Sequence, residues 1–252
     1  MSFIEKGIHM SETDALAGQR VVVIGGSSGI GLETARAAGA AGAAVVITGR
    51  NAERLDAAAN ELGATRRVLD LADTAAVDGF FAELPAPVDH ILVGGGGPFY
   101  APIPELDLDA LRRNLDEHLV GSLRIARDCI GRVRAGGSLT FISGTGARRP
   151  AKGIVVAAIG TAAMSAIVAN IALELAPLRA NAIAAGFVDT PLSARLLGDD
   201  IEHRREQLRA TLPIGRVVGP EDVAALAIQL MTNTAITGAT FDIDGGQQLL
   251  RE

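Results

Sequence analysis

The chain is poor in the side chains that most often carry chemistry. Its 252 residues include no tryptophan, one tyrosine, one cysteine and only 3% aromatic residues, and its two lysines are Lys6 and Lys152. A single cysteine, Cys129, excludes a disulfide within the chain and fits a reducing compartment. Because Cys129 lies in an apolar helical pattern, we predict that it packs in the core and is not a nucleophile.

Basic charge is also scarce. The formal net charge of -6 and the pI of about 5.3 argue against a nucleic-acid partner, because phosphates attract basic surfaces. Residues 1–16 contain no cleavable apolar core, so we predict no secretory signal and treat them as a flexible leader or an expression remnant. We therefore expect a cytoplasmic protein, and no metal site is predicted.

One long apolar segment needs an explanation. Residues 153–173 contain no charged side chain and are long enough to span a bilayer. The segment is rich in alanine and glycine, contains Thr161, Ser165 and Asn170, and has no aromatic belt. We therefore predict a helix buried in the core or in a subunit interface, not a membrane span. An interface of this kind makes the protein a homodimer or homotetramer.

Short apolar segments alternate with helical patterns along the chain. The predicted strands are 21–25, 44–48, 67–70, 91–93, 138–143, 180–184 and 240–243, and the predicted helices are 30–41, 52–62, 74–83, 108–134, 154–176 and 221–232. This alternation requires crossover connections, which are typical of a parallel sheet with helices on both faces. We predict one doubly wound, Rossmann-type α/β domain over residues 17–252, with a seven-stranded parallel sheet. The polar, arginine-rich segment 191–212 is predicted to be a mobile lid.

A glycine-rich turn joins the first predicted strand to the first helix. Its sequence is Gly25-Gly26-Ser27-Ser28-Gly29-Ile30-Gly31. Gly25 permits the turn, Gly29 lets the backbone approach a pyrophosphate, and Gly31 allows the helix to pack closely on the sheet. The positive N-terminus of the helix then receives the anion. This context predicts a dinucleotide site, and a bare glycine turn is the alternative.

The spacing of these glycines resembles the TGxxxGxG motif of the short-chain dehydrogenase/reductase family. Leu69-Asp70-Leu71 resembles the segment that meets the adenine, residues 184–191 resemble the segment around the PG motif, and residues 213–246 resemble the closing pattern. The resemblance implies a nicotinamide cofactor and places Thr190 near its amide. The predicted cofactor-binding residues are Gly25, Ser27, Ser28, Gly29, Ile30, Gly31, Arg50, Asp70, Leu71, Gly94, Gly95, Gly186, Val188 and Thr190.

The end of the second strand bears on the choice of cofactor. An acidic residue there would accept the ribose hydroxyls of NAD and repel a 2′-phosphate. The chain has Thr48-Gly49-Arg50-Asn51 instead, and Arg50 offers a cationic fork for a phosphate. We therefore predict NADP over NAD, with a solvated Arg50 as the alternative.

The family's catalytic tetrad is Asn, Ser, Tyr and Lys, and the resemblance places other residues at all four positions. His118 stands at the asparagine, Gly144 at the serine, and Ala157 and Thr161 at the tyrosine and lysine of YxxxK. No YxxxK occurs anywhere in the chain. The run Gly94-Gly95-Gly96-Gly97 stands where the family has NNAG.

Three side chains are predicted as substitute catalytic groups. His118 would face the site, and an imidazole can supply a proton near neutral pH, although a packed histidine is the alternative. Tyr100 follows the glycine run and either donates a proton or lines an apolar wall. Ser143 precedes the serine position by one residue. Arg148, Arg149 and Lys152 follow the fifth strand and either hold an anionic substrate or are solvated.

Two classes of function follow from this pattern. The first is an NADP(H)-dependent oxidoreductase with atypical proton delivery, acting on a small carbonyl or alcohol compound. The alternative is a catalytically silent NADP-binding homologue that acts as a sensor, partner subunit or scaffold. A non-redox lyase or isomerase is a third option.

Overall fold

The computed structural model describes residues 14–250, which form an α/β fold around one parallel sheet. The sheet has seven strands in the order β3-β2-β1-β4-β5-β6-β7, and every neighbouring pair is parallel. The strands are β1 (Arg20–Ile24), β2 (Ala44–Gly49), β3 (Thr65–Val68), β4 (Val88–Val93), β5 (Val133–Gly144), β6 (Arg179–Ala185) and β7 (Thr240–Ile243). The predicted doubly wound domain with a seven-stranded parallel sheet is confirmed.

Helices cover both faces of the sheet. They are α1 (Gly29–Ala40), α2 (Ala52–Leu62), α3 (Thr74–Glu83), α4 (Leu108–Leu115), α5 (Gly121–Asp128), α6 (Val155–Glu174), α7 (Pro191–Leu197), α8 (Ile201–Thr211) and α9 (Pro220–Thr232). One apolar cluster joins the sheet to α3, α5 and α6, and a second joins its other face to α1, α2 and α9. Strands β1 and β4 are buried on both faces, which explains their nearly continuous apolar sequence.

Two predicted helix starts are confirmed. Asn51 precedes α2, and its side-chain oxygen accepts a hydrogen bond of 2.8 Å from the backbone N–H of Arg54. Pro220 occupies the first position of α9, where the missing N–H costs no helical hydrogen bond. The strand prediction at 67–70 was wrong by two residues, because β3 is an exposed edge strand without an apolar run.

The predicted helix over 108–134 was wrong in its course and its end. Helix α4 ends at Leu115, a π-helical turn (Asp116–Val120) follows, and α5 ends at Asp128. Gly131, with φ of +75°, turns the chain so that Val133 can pair with Val88 at the start of β5. Cys129 is fully buried as predicted, and burial raises the pKa of its thiol to about 12.

The start of the fold differs from the sequence-based prediction, and the predicted lid segment is helical. Leu16 is fully buried in the second apolar cluster, so the fold begins before residue 17. Residues 1–13 of the predicted leader lie outside the described residues. The segment 191–212, predicted to be a mobile lid, contains helices α7 and α8.

A buried histidine lies near the amino edge of the sheet, at the opposite edge from the glycine turn. His90 in β4 is 3% exposed; its Nδ1 lies 2.8 Å from Ser138 Oγ and its Nε2 lies 2.7 Å from Gln19 Oε1. The Gln19 oxygen accepts from Nε2–H, so Nδ1 accepts from the serine hydroxyl. Burial and the charge of Arg179 lower the pKa of His90 to about 4. The histidine is therefore neutral and structural in the folded protein.

We expect the protein to lose stability as the pH falls from about 6.5 to 4. In this window the unfolded chain protonates His90 (pKa about 6.5) while the folded chain does not, which costs about 3 kcal/mol across the window. The free energy of unfolding of His90→Gln, measured by urea denaturation, should depend less steeply on pH than that of the wild type. His203→Gln, at an exposed site on α8, is the control and should retain the wild-type slope. Equal slopes for both variants would contradict this account of His90.

Candidate active site

The predicted site residues gather at the carboxyl edge of the sheet. The glycine turn follows β1, the glycine run follows β4, Gly144 ends β5, and Gly186 follows β6. The chain order reverses between β1 and β4, where a crevice outside the strand ends is the usual ligand site of such sheets.

The glycine turn has the shape of a phosphate cradle. Gly25 has φ of +83°, and a β-carbon added to it would lie 2.7 Å from the carbonyl oxygen of Gly94. A β-carbon on Gly31 would lie 2.2 Å from the carbonyl oxygen of Gly25, so the start of α1 tolerates no side chain there. Ser28 precedes α1 without a side-chain capping bond, which leaves the N–H groups of its first turn for an anion. These backbone features fit the pyrophosphate of a dinucleotide.

The β2–β3 side of the crevice carries the predicted adenosine-binding residues. A β-carbon on Gly49 would lie 2.9 Å from Ser27 Oγ, so the end of β2 touches the glycine turn. Arg50 is exposed, and no residue within 14–250 pairs with its guanidinium. Asp70 is exposed and its Oδ1 accepts a hydrogen bond of 3.1 Å from Ala72 N, which fixes the turn before Leu71.

His118 lies in the π-helical turn and faces the glycine run. Its Nδ1 lies 2.9 Å from the carbonyl oxygen of Asn114, which only accepts, so Nδ1 carries a proton. A β-carbon on Gly96 would lie 2.8 Å from His118 Nε2. In the neutral ring Nε2 is therefore an acceptor, and His118 can donate a proton from Nε2 only as the imidazolium.

Thr161 joins helix α6 to the loop after β5. Its Oγ1 accepts a hydrogen bond of 2.8 Å from Ala147 N and donates one of 3.2 Å to the carbonyl oxygen of Ala158. A β-carbon on Gly144 would lie 3.3 Å from Thr161 Cγ2. Ala157, one turn earlier on α6, has no polar side chain. The hydroxyl proton of Thr161 is therefore already used in a hydrogen bond within the protein.

The other candidate donors differ in exposure. Tyr100 is 53% exposed on the loop after β4, and partial burial raises the pKa of its phenol. Ser143 is half-buried near the end of β5, and its hydroxyl bonds to none of residues 14–250. Arg148 is paired with Asp242 of β7, whereas Lys152 is exposed. The structure thus brings His118 against the glycine run and leaves Tyr100 largely in solvent.

Helix α7 of the lid reaches the glycine-rich segments. Thr190 caps α7 by accepting from Ser193 N at 3.3 Å, and a β-carbon on Gly29 would lie 3.3 Å from Thr190 Cγ2. A β-carbon on Gly97 would lie 3.6 Å from Leu192 Cδ1. Val188, just before the lid, is buried and pairs with Val218. The chain from Thr190 into α7 therefore lies against both the glycine turn and the glycine run.

An ion pair fastens the lid to the segment that carries Thr190. Arg205 of α8 donates from Nε to Asp189 Oδ2 at 2.9 Å and from Nη2 to Asp189 Oδ1 at 2.6 Å. This two-point geometry fixes direction as well as distance. Gly186, before this segment, packs on Asp244, since a β-carbon there would lie 2.7 Å from Asp244 Cβ.

We expect Arg205→Ala to loosen the lid, because the two-point bond to Asp189 is its charged tie to the end of β6. Hydrogen exchange of the amides in α7 and α8 should become roughly tenfold faster, while exchange in β1 and β4 should not change. Arg209→Ala, an exposed arginine on the same helix, is the control. Equal exchange in both variants would show that the pair does not hold the lid.

Sequence reasoning missed three residues that the structure brings to the site. Asp189 and Arg205 are 16 positions apart, and no local pattern predicts their pairing. Glu117 was also missed, although its position next to His118 was a signal, because the predicted continuous helix gave no reason to turn it toward the glycine run.

Comparisons with known proteins agree with this geometry. Residues 24–248 match the family described as Enoyl-(Acyl carrier protein) reductase. The chain is 33% identical over 256 residues to a cis-4-hydroxycyclohexanecarboxylate dehydrogenase of Sinomonas cyclohexanicum, with 92% of this chain and 98% of that protein covered. It is 28% identical over 250 residues to the short-chain dehydrogenase/reductase ATR9 of Stachybotrys chlorohalonatus, with 92% and 97% covered.

One similar solved structure contains a nicotinamide cofactor. The crystal structure of BdcA in complex with NADPH superposes with a TM-score of 0.83 at 26% identity, and 92% of this chain and 95% of that chain are covered.

Proposed function

This chain belongs to the short-chain dehydrogenase/reductase family and is an oxidoreductase of that type, and we propose that it uses NADP(H) with an atypical route for the proton. Its substrate is a small carbonyl or alcohol compound. The observation that carries the proposal is the glycine cradle after β1, where Gly25 and Gly31 leave no room for a side chain. The tight turn at Gly25 and the close packing at Gly31 bring the N-terminus of α1 to the crevice, where its free N–H groups can receive a pyrophosphate.

The preference for NADP rests on the end of β2. Gly49 replaces the carboxylate that would repel a 2′-phosphate, and Arg50 is exposed without a partner among residues 14–250. Ser27 lies against Gly49, so the Ser27 hydroxyl and Arg50 are both near the end of β2, where a 2′-phosphate would bind. The NADPH bound in the BdcA structure supports the same assignment by similarity.

Different residues of this chain would contact different parts of the cofactor. The start of α1 binds the pyrophosphate, Asp70 and Leu71 border the adenine, and Thr190 lies where the nicotinamide amide is expected. Gly94, Gly95, Gly186 and Val188 shape the wall of the crevice. The cofactor, when bound, supplies or takes up a hydride.

The substrate oxygen also needs a proton during reduction. Ala157 and Gly144 have none, and the hydroxyl proton of Thr161 is bonded to Ala158 O. We assign the proton to His118, which donates from Nε2 as the imidazolium. Tyr100 is the second candidate, disfavoured by its exposure and its raised pKa. Ser143 is the third, and a substrate that needs little acid help is the remaining route.

Oxidation of NADPH that depends on an added carbonyl compound tests this function. The wild type should bind NADPH in a calorimetric titration and oxidise it with at least one member of a carbonyl panel. Tight binding without turnover would favour the second candidate, a silent NADP-binding sensor, partner subunit or scaffold. The apolar Ala157 and the satisfied hydroxyl of Thr161 are the observations in its favour.

We also propose that the chain forms a homodimer or homotetramer through α5 and α6. Helix α6 is long and apolar enough to cross a membrane by length and composition, yet the part of the chain that the structure describes buries only one of its faces. Its exposed face lies beside Leu123 and Ile130, which are 51% and 62% exposed, and together they form an apolar groove. A second copy would cover this surface.

Light scattering at micromolar concentration should give two or four times the chain mass of 25.9 kDa. Leu123→Glu should shift the mass toward the monomer, because it places a charge in the groove. Leu249→Glu, another exposed leucine outside α5 and α6, is the control. A monomeric wild type would contradict the interface.

A further inference from the structure

Glu117 is a carboxylate without a partner at the edge of the proposed cofactor crevice. It lies in the π-helical turn, is half-buried, and its Oε1 lies 3.1 Å from the place that a β-carbon on Gly96 would occupy. Within residues 14–250, no group forms a hydrogen bond or an ion pair with it. Partial burial of an unpaired charge is unfavourable, so a hydrogen-bond donor of a bound ligand would stabilise the carboxylate at this position.

The π-helical turn is what aims Glu117 at the glycine run. Each residue of an α-helix advances by 100° around the axis, and the wider turn over Asp116–Val120 changes the direction of the side chains that follow. Both Glu117 and His118 thereby reach Gly96. Turns of this kind occur often at functional sites.

The position of Glu117 identifies the part of the ligand that it would meet. A dinucleotide lies across the reversal of strand order, with one half on each side of it. Arg50 and Asp70 lie on the β2–β3 side. Glu117 borders a small cavity that Leu71 lines from that side and that His118, Val93, Gly95 and Ile142 line at the ends of β4 and β5. Gly95 follows directly on Gly94, which touches the phosphate cradle. The contact of Glu117 with the glycine run after β4, beside His118, favours the nicotinamide half of the ligand, close to the pyrophosphate.

The chemical group expected between a pyrophosphate and a nicotinamide is a ribose with two neighbouring hydroxyls. A carboxylate accepts hydrogen bonds from such a pair, as acidic residues do with the adenosine ribose in related sheets. Helix α6 offers no free group for this task, because both hydrogen bonds of Thr161 are made within the protein. The turn before α5 offers Glu117.

We propose that Glu117 binds the hydroxyls of the nicotinamide-side ribose and so positions the reactive half of the cofactor. The assignment rests on the proposed function, since it requires a dinucleotide in the crevice. Glu117, in the π-helical turn between α4 and α5, would then be a cofactor-binding residue in addition to those of the glycine turn.

Calorimetric titration with two probes separates the halves of the ligand. NADPH contains both riboses, whereas adenosine 2′,5′-bisphosphate contains the adenosine ribose with its 2′- and 5′-phosphates and no second ribose. Glu117→Gln should bind NADPH about 10- to 100-fold more weakly than the wild type, because a charge-assisted bond is lost. Its affinity for the bisphosphate should change by less than about twofold. Glu117→Asp, which keeps the charge on a shorter stem, should give an intermediate loss for NADPH.

A control corrects for the general effect of charge on an anionic ligand. Glu83→Gln removes one negative charge at the exposed end of α3, at the opposite edge of the sheet, and should leave both affinities unchanged. Circular dichroism checks that each variant is folded.

The possible outcomes separate this assignment from the proposed function. Unchanged NADPH affinity in Glu117→Gln would overturn the role of Glu117 and leave the proposed function intact. An equal loss for both probes would place Glu117 on the adenosine half and also overturn the assignment. A wild type that binds neither probe would overturn the proposed function and, with it, the role of Glu117.

Discussion

Simple ketones should be reduced by this protein about 10²- to 10⁴-fold more slowly than an enzyme with a tyrosine general acid would reduce them. The reason is that Ala157 and Gly144 offer no proton to the carbonyl oxygen, that Thr161 has already used its own, and that His118 can donate from Nε2 only in its imidazolium form. General acid catalysis contributes a factor of this size, which corresponds to about 3 to 5 kcal/mol of transition-state stabilisation. The measurement is kcat/KM for a panel of ketones and aldehydes at saturating NADPH.

The residual rate identifies the proton donor. If His118 supplies the proton, His118→Asn should abolish the oxidation of NADPH while the affinity for the cofactor stays unchanged. If Tyr100 supplies it, Tyr100→Phe should do so instead. Reduction at ordinary enzyme rates that is indifferent to both substitutions would show that the proton comes from another group.

Exchanging Arg50 for aspartate should reverse the choice of cofactor. In the wild type the guanidinium at the end of β2 has no partner among residues 14–250, and it can pair with a 2′-phosphate through two hydrogen bonds. Aspartate at the same place would repel that phosphate and accept the ribose hydroxyls of NAD. Because the site is exposed and screened, we expect the ratio of the two affinities to change by about 100-fold.

Calorimetric titration with NADPH and NADH measures the ratio of the two affinities in the wild type and in Arg50→Asp. Arg209→Asp on α8 makes the same change of charge away from the end of β2, and it should leave the preference for NADPH in place. A wild type that binds NADH as tightly as NADPH would contradict the assignment of Arg50.

The sequence was most informative where the backbone itself dictates the residue. Gly25 requires a positive φ and contact with Gly94, and only glycine satisfies both, so the phosphate cradle could be recognised in advance. The cap at Asn51 was equally visible, because its partner lies three residues away. The order of apolar segments predicted the parallel sheet for the same reason: alternation of strand and helix leaves few other topologies.

Features that depend on distant segments were not visible in the sequence. The apolar pattern over 108–134 continued through a π-helical turn and past Gly131, because hydrophobic periodicity cannot register a change of one residue per turn. The orientation of Glu117 toward Gly96 follows from that turn. The pair between Asp189 and Arg205 depends on how α8 folds back on the end of β6, which only the tertiary structure shows.

The most direct test of the account follows a label from NADPH that carries deuterium at carbon 4 of the nicotinamide. The wild type is incubated with this cofactor and a panel of carbonyl compounds, and the products are analysed by mass spectrometry. The account predicts deuterium on the former carbonyl carbon of at least one product, at a rate that falls in His118→Asn. Labelled cofactor that stays bound and intact with every compound would contradict it and would leave a protein that binds NADPH without redox turnover.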